Sequence, residues 1–256
     1  MLTVIRYTLL TAMRDKLFLG LLTAIALVYG LAVFTGSTAL SEQQHMMLAL
    51  FAGGSRITLV IGLIVFVCFH VRRAFDNREI ESILSKPISR TQFIMGYWLG
   101  FVLIAAFMLI PIAVIALNID QTNLIGLAVW CMSLLCETIV IIAFALLCSI
   151  MLKSAVSAVM ASFAFYFISR LMGFFVAALF TQESMLGVSS GIASYAVPLI
   201  KAISTVIPRL DLYAKSNWMI YGIAQEQDVW IFPVQSLVFI LLLLAMAVFD
   251  LKRKEF

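Results

Sequence analysis

The chain has 256 residues, of which 64% are hydrophobic and only 12% are charged, and its formal net charge is +4. Soluble domains are about a quarter charged, so this composition excludes a soluble enzyme or binding domain and predicts an integral membrane protein. Long unbroken apolar runs indicate that helices, and not a β-barrel, cross the bilayer. The basic residues cluster beside these runs, which favours membrane lipid over nucleic acid as their partner.

Residues 1–16 precede the first apolar run and have the pattern of a short amphipathic helix. The apolar residues at helical spacing are Leu2, Ile5, Leu9 and Met13. We expect an interfacial helix lying apolar side down on the membrane; the alternative is an ordinary flank to the first span. The charge-free run that follows, residues 17–40, is too long for the apolar region of a cleavable signal peptide, which has about 7–15 residues. We therefore expect a retained first span.

Six segments are long and apolar enough to cross roughly 30 Å of hydrocarbon, which takes about 20 residues. They are residues 17–39, 48–71, 94–117, 124–150, 155–180 and 231–250. With these spans, twelve basic residues near the helix ends fall on one side of the membrane and three on the other. The side rich in Lys and Arg is normally cytoplasmic. The sequence thus predicts an all-α polytopic membrane protein with both termini in the cytoplasm.

Residues 181–230 are predicted to form an external loop with a helical element before the last span. Within them, residues 185–207 are moderately apolar, and a seventh span there would change the charge balance only to eleven against three. Several serines, Pro198 and Lys201 make a poor spanning helix, so we favour an external or re-entrant element. The following IPRLDLYAKSNW, residues 207–218, either shapes an outer gate or forms an ordinary capped loop.

The longest hydrophilic stretch, DNREIESILSKPISRTQF at residues 76–93, lies in the predicted cytoplasmic loop 72–92. Its apolar side chains fall mainly on one side of a short helix that begins at Ala74. Pro87 is expected to end that helix, because the residue before a proline avoids the α region. Ser89 is then in position to cap the third span. Such a helix suits docking onto a soluble partner; the alternative is a solvated loop.

This stretch resembles the signature of the type-2 ABC (ATP-binding cassette) transporter permease family. The signature combines a glutamate, a pair of aliphatic residues and P-(I/V)-S-R with an apolar G-x-x-L-G. The matching positions are Glu81, Ile83, Leu84, Pro87, Ile88, Ser89, Arg90, Gly96, Leu99 and Gly100. The chain departs from the family in two places: the family has Gly-Thr in place of Arg78-Glu79 and Lys in place of Tyr97. The signature covers about 25 residues, and the order of spans resembles the family over the whole chain.

The resemblance implies that the loop holds a coupling helix, which rests on a separate ATPase subunit that binds ATP and Mg. It also implies a second permease subunit, for which we favour a homodimer. The residues it assigns to ATPase coupling are Phe75, Asp76, Arg78, Glu79, Glu81, Ile83, Leu84, Pro87, Ser89 and Arg90. Because the chain has no G-x-x-x-x-G-K-[ST] phosphate-binding motif, we expect no enzyme activity and no cofactor in it.

The expected function is therefore that of the permease subunit of an ABC exporter. Two alternatives remain open. The first is a permease that supports maturation of a periplasmic metalloenzyme, with a copper- or sulfur-related cargo and a periplasmic accessory protein. His45, Met46 and Met47 are weak candidate metal ligands for that role. The second is a channel or membrane assembly scaffold that works without an ATPase.

Three charged residues lie at least one turn inside the predicted spans, where charges are costly and often functional. Glu137 and Arg170 are near the middle of the fourth and fifth spans, which a short link at Lys153-Ser154 makes antiparallel neighbours. We expect the two side chains to pair, or to face a cavity between subunits. Arg56 lies a turn or two inside the second span, and we expect it to extend to the lipid headgroups.

Overall fold

The computed structural model is helical, and no strand occurs among the residues that it describes, which are 2–14, 16–38, 42–77, 89–119, 122–186, 207–222 and 230–253. The elements are α1 (Leu2–Arg14), α2 (Lys16–Thr38), α3 (Gln43–Asp76), α4 (Arg90–Leu117), α5 (Leu124–Met151), α6 (Ala155–Leu186), a 3₁₀ turn (Leu210–Leu212), α7 (Asn217–Tyr221) and α8 (Ile231–Arg253).

Six of the described helices, α2 to α6 and α8, are long and apolar enough to cross a membrane. This confirms the predicted all-α polytopic fold, and each span lies where the apolar runs placed it to within a few residues. The protein is therefore a multi-pass membrane protein. Helix α3 shows the largest difference, because it begins at Gln43 and continues to Asp76, beyond both ends of the predicted span 48–71.

Helix α5 is at the centre of the bundle. In its most apolar stretch 72% of the residues are buried inside the protein, against 11% for α2. Helices α3, α4, α6 and α8 all pack against α5. Its buried face also carries polar side chains, among them Ser133 and Glu137, which are completely enclosed. Polar groups at this depth need partners within the protein, which makes the buried face of α5 the candidate location of a functional site.

Helix α1 packs along α4. The residues that it buries are Val4, Thr8 and Ala12, and Gly100 of α4 leaves room for the Thr8 side chain. The helix predicted for residues 1–16 is thus present, but its most buried face lies beside the predicted apolar one, on which Ile5 and Leu9 are only half-buried. Its position in the membrane interface stays a prediction.

The end of α3 corrects the predicted start of the coupling helix. Ala74, Phe75 and Asp76 belong to the last turn of α3 and not to a separate helix. The Arg72 guanidinium forms an ion pair of 2.8 Å with Asp76 one turn later, and it lies 5.5 Å from the centre of the Phe75 ring. These contacts favour continuation of the helix. Of the other coupling candidates, Ser89 and Arg90 lie at the start of α4. The other six lie outside the described residues: Arg78, Glu79, Glu81, Ile83, Leu84 and Pro87.

The start of α4 confirms the predicted cap. The Ser89 hydroxyl oxygen accepts a hydrogen bond of 3.2 Å from the main-chain N–H of Gln92, and the Ser89 N–H donates to the Gln92 side chain at 3.4 Å. This reciprocal pair is a capping box, which satisfies two N–H groups that the helix leaves unpaired. The third span therefore begins at Arg90, directly after the polar loop.

Candidate functional site in the bundle interior

Residues 207–222, which we call the returning segment, pass back into the helical bundle before the last span. The Ala214 N–H donates a 2.9 Å hydrogen bond to the Ser133 hydroxyl, and the Asn123 N–H donates one of 2.9 Å to the Met219 carbonyl. Ser133 lies nine residues after the start of α5 at Leu124, or about 13 Å along the helix. The segment thus extends from the N-terminal end of α5 well into the bundle, so it is neither a superficial loop nor an ordinary helix cap.

Close packing holds the returning segment in place. Leu210, Tyr213, Ala214 and Met219 are completely buried. Gly126 of α5 permits the approach of α7, because a Cβ atom at this position would lie 1.8 Å from the Trp218 carbonyl oxygen. The preceding residues 187–206 lie outside the described residues, and with them most of the possible seventh span.

Tyr213 ties the returning segment to the last span. Its hydroxyl donates to the Phe232 carbonyl oxygen at 2.9 Å and lies 2.9 Å from the Ser236 hydroxyl. Burial raises the pKa of the Tyr213 phenol, and this outweighs the opposing effect of the Ser236 hydrogen bond. The phenol therefore stays protonated and remains a hydrogen-bond donor at neutral pH.

Two arginines satisfy the carbonyl groups of this irregular backbone. Arg56 Nη1, from α3, donates to the carbonyl oxygens of Tyr213 at 3.3 Å and Ala214 at 2.7 Å. Arg170 Nη1, from α6, donates to the carbonyl oxygens of Leu210 and of Tyr213, the latter at 3.2 Å. Non-helical backbone inside a membrane protein requires such partners, because no water or helix supplies them.

Arg56 corrects the expectation that it extends to the lipid headgroups. Its side chain turns inward, and only 8% of the residue is exposed. Its partners are main-chain carbonyls 157 and 158 residues later in the sequence. A guanidinium group offers five N–H donors in a fixed plane, which suits two adjacent carbonyl oxygens. Arg56 thus anchors the returning segment.

Glu137 lies beside Arg56 and Arg170 and has no exposed surface. Its Oε1 is 3.8 Å from Arg170 Nη1, which confirms that these two residues pair across α5 and α6. Arg56 and Tyr166 are also close enough to interact with the carboxylate. Within the described part of the chain, neither carboxylate oxygen accepts a hydrogen bond. The two charged groups are therefore close enough to attract each other, but they do not form a hydrogen bond.

A second ion pair stands at the start of the returning segment. Arg209 Nη2 lies 2.9 Å from Asp211 Oδ2. Gly173 of α6 makes room for this carboxylate, because a Cβ atom there would lie 2.3 Å from Asp211 Oδ2. Asp211 also interacts with Arg170. The two carboxylates and three arginines of this region leave one positive charge in excess when all are ionised.

The candidate metal ligands His45, Met46 and Met47 do not converge. The His45 ring packs on the ring of Tyr221 at 5.8 Å, Met46 is exposed, and Met47 packs against Gly36. Among the described residues, no group of three His, Cys, Asp or Glu side chains is arranged to hold a metal ion. The contact with Tyr221 instead fastens the start of α3 to the returning segment.

At the opposite end of the bundle, two arginines border the polar loop. Arg72 Nη1 donates to the Leu152 carbonyl oxygen, just after α5, at 3.4 Å. Arg90 Nη1 donates to the carbonyl oxygens of Leu251 at 2.7 Å and Lys252 at 3.1 Å, at the end of α8. Each side of the loop is therefore bound to the carboxyl end of another span, where the helix dipole favours a cation.

Comparison with known proteins finds no matching family model and no matching curated protein. The fold and the site define a polytopic α-helical membrane protein in which two arginines hold residues 207–222 within the helical bundle. Sequence analysis found Glu137, Arg170 and Arg56 by their charge and singled out the segment that contains Tyr213, but it missed Ser133 and the partners of Tyr213. Ser133 precedes Glu137 by four residues and so shares its helix face, a signal that was available in the sequence.

Proposed function

We propose that this chain is the membrane permease subunit of an ATP-driven ABC exporter. It would form the translocation path as a homodimer in the bacterial inner membrane, with a separate ATPase subunit bound at the polar loop. The observation that carries the proposal is the run from Glu81 to Gly100, which resembles the family signature at ten positions. The loop between α3 and α4 is also where the family places its coupling helix.

The arginine contacts beside the loop would transmit a displacement of the loop to the spans. Arg72 links the end of α3 to α5, and Arg90 links the start of α4 to α8. A displacement of the loop by an ATPase would act on four spans together, because packed helices and their hydrogen bonds move as rigid units. Helix α5 contacts the returning segment directly, so its movement would reach the opposite end of the bundle.

The proposal is tested by purifying the tagged permease from its native membrane and identifying retained proteins by mass spectrometry. We expect an ATPase with a phosphate-binding loop to be retained. Reversing the loop charges, with Glu79→Lys and Glu81→Lys together, should abolish its retention. Glu42→Lys is the matched control, because Glu42 lies at the other end of α3 and is exposed; this variant should retain the ATPase.

Two results would overturn the proposal. Recovery of no ATPase from the wild-type chain would favour the channel or scaffold alternative. Equal recovery from the loop variant and the wild type would mean that the ATPase, if present, binds elsewhere. Retention of a periplasmic metal-binding protein alongside the ATPase would instead assign the transporter to metalloenzyme maturation.

A further inference from the structure

The returning segment depends on hydrogen bonds from the same arginine atoms that approach Glu137. An arginine Nη atom carries two hydrogens. Arg170 Nη1 uses both, on the carbonyl oxygens of Leu210 and Tyr213, while it lies 3.8 Å from Glu137 Oε1. Arg170 Nη1 therefore cannot donate to Glu137 without releasing a carbonyl of the returning segment.

Arg56 holds the neighbouring part of the main chain. Both hydrogens of its Nη1 are directed at the carbonyl oxygens of Tyr213 and Ala214. Its buried Nε has no hydrogen-bond partner within the described residues, although Glu137 is close enough to interact with it electrostatically. The two arginines thus satisfy the main chain of the returning segment, while the carboxylate between them accepts a hydrogen bond from neither arginine.

The Glu137 carboxylate is therefore buried without hydrogen bonds from the arginines that would compensate for its lost hydration. A buried carboxylate is stable only when paired and hydrogen-bonded. Hydrogen bonds between an arginine and a carboxylate are roughly twice as strong as those between neutral groups, at 2.7–2.9 Å. A movement of about 1 Å would bring Arg170 Nη1 from its present 3.8 Å into that range. The two possible partners of the arginine therefore compete closely.

We propose that Arg170 forms an exchange switch with Glu137 that holds or releases the returning segment. In the described state the arginines bind the carbonyls of Leu210, Tyr213 and Ala214, and the segment is held within the bundle. In the second state Arg170 binds Glu137, and the carbonyls it leaves lose their donor. The segment then withdraws towards the end of the bundle, where water replaces the lost partners. Arg170 has hydrogen-bond acceptors in both states, the carbonyls in one and Glu137 in the other, as a two-state element requires.

The positive φ of Ala214 supports release at this point. Ala214 has a φ of 45°, in the left-handed region that residues with a Cβ avoid. Hydrogen bonds on both sides of it, from Arg56 to its carbonyl and from its N–H to Ser133, hold this conformation. Loss of the Arg170 contact to the adjacent Tyr213 carbonyl would weaken this restraint, which adds to the tendency of the segment to leave.

The sign of the effect of Glu137→Gln tests the switch. If Glu137 competes with the carbonyls, neutralising it leaves the arginines on the main chain, and the segment opens less often. If Glu137 only holds the arginines in place, the same change loosens the segment. Amide hydrogen exchange of residues 207–222 measures the opening, and the isolated permease in lipid nanodiscs suffices. The inference does not rest on an ATPase, so its failure is distinct from failure of the proposed function.

We expect Glu137→Gln to slow exchange across residues 207–222 about fivefold, the effect of one hydrogen bond. The double variant Glu137→Gln with Arg170→Gln should exchange faster than the wild type, because it removes a donor without leaving an unpaired carboxylate. Asp250→Asn, which neutralises a carboxylate near the other end of α8, is the control and should change nothing. Unchanged or faster exchange in Glu137→Gln, or an equal slowing in Asp250→Asn, would overturn the switch.

A variant that unfolds is recognised by increased exchange in α4, which lies apart from the charge cluster. In that case Glu137→Asp takes the place of Glu137→Gln. It keeps the charge but draws the carboxylate back by one methylene group, beyond the reach of Arg170. It should also slow exchange of the returning segment, and faster exchange in this variant would again reject the switch.

Discussion

The guanidinium group of Arg90 donates a hydrogen bond of 2.7 Å to the main-chain carbonyl oxygen of Leu251. The two residues are 161 positions apart in the sequence. One opens the third span directly after the polar loop, and the other lies in the last turn of the last span. This contact makes the C-terminal end of α8 dependent on the position of the loop.

Replacement of Arg90 by alanine should therefore loosen the end of α8. The variant loses hydrogen bonds to the carbonyls of Leu251 and Lys252, whose free carbonyls also lose a favourable cation. We expect trypsin to cleave after Lys252 and Arg253 several-fold faster, as followed by mass spectrometry of the detergent-solubilised protein. Arg6→Ala, which removes an exposed arginine from α1, should leave the rate unchanged; equal acceleration in both variants would refute the role of Arg90.

Ser89→Ala should destabilise the first turn of α4 by about 1 kcal/mol, the usual cost of losing an N-cap oxygen. The N–H of Gln92 loses its acceptor, and the reciprocal contact of the capping box goes with it. Amide exchange at residues 91–93 reports the change. Ser89→Thr keeps the hydroxyl and is expected to behave as the wild type; a threonine variant as weak as the alanine variant would count against the cap.

Gly126→Ala should displace α7 from α5. The added Cβ would meet the Trp218 carbonyl oxygen at 1.8 Å, and overlap with backbone cannot be relieved by a rotamer change. We expect a loss of about 1–3 kcal/mol, as for other overpacked sites, with faster amide exchange in residues 217–222. The matched control is Gly53→Ala in α3, where no atom lies within 4 Å of the added Cβ. That variant should be neutral or slightly stabilised.

The elements that sequence analysis predicted correctly depend on local patterns. Hydropathy over about 20 residues defines a span wherever it lies in the chain. The cap at Ser89 follows from the proline two residues before it and the polar residue three residues after it. The pairing of Glu137 with Arg170 was predictable because a short link makes α5 and α6 neighbours. In each case the contacts that decide the structure are between residues near in sequence, or follow from a short connection between two helices.

The role of Arg56 was not predictable in this way. Its partners are 157 and 158 residues away, on a segment whose composition is compatible with an external loop. An arginine inside a span has two favourable solutions, the headgroup region or a buried acceptor. Hydropathy does not distinguish them, because the choice depends on whether another backbone reaches the same depth. For the same reason the partners of the Tyr213 hydroxyl, which lie on α8, were not predictable.

Arg56→Gln should release part of the returning segment and lower the stability of the whole bundle. The carbonyl oxygens of Tyr213 and Ala214 would lose a charged donor at a depth where water cannot replace it. Each such loss costs about 1–3 kcal/mol when the acceptor stays buried, so a clear fall in the thermal unfolding midpoint is expected. Lys153→Gln removes one positive charge from an exposed link and should leave the midpoint unchanged.

If Arg56 instead served only to reach the headgroups, Arg56→Lys would restore the wild-type midpoint, because lysine extends to headgroups equally well. We expect lysine to fail, since its single ammonium group does not present the planar pair of N–H donors that two adjacent carbonyls accept.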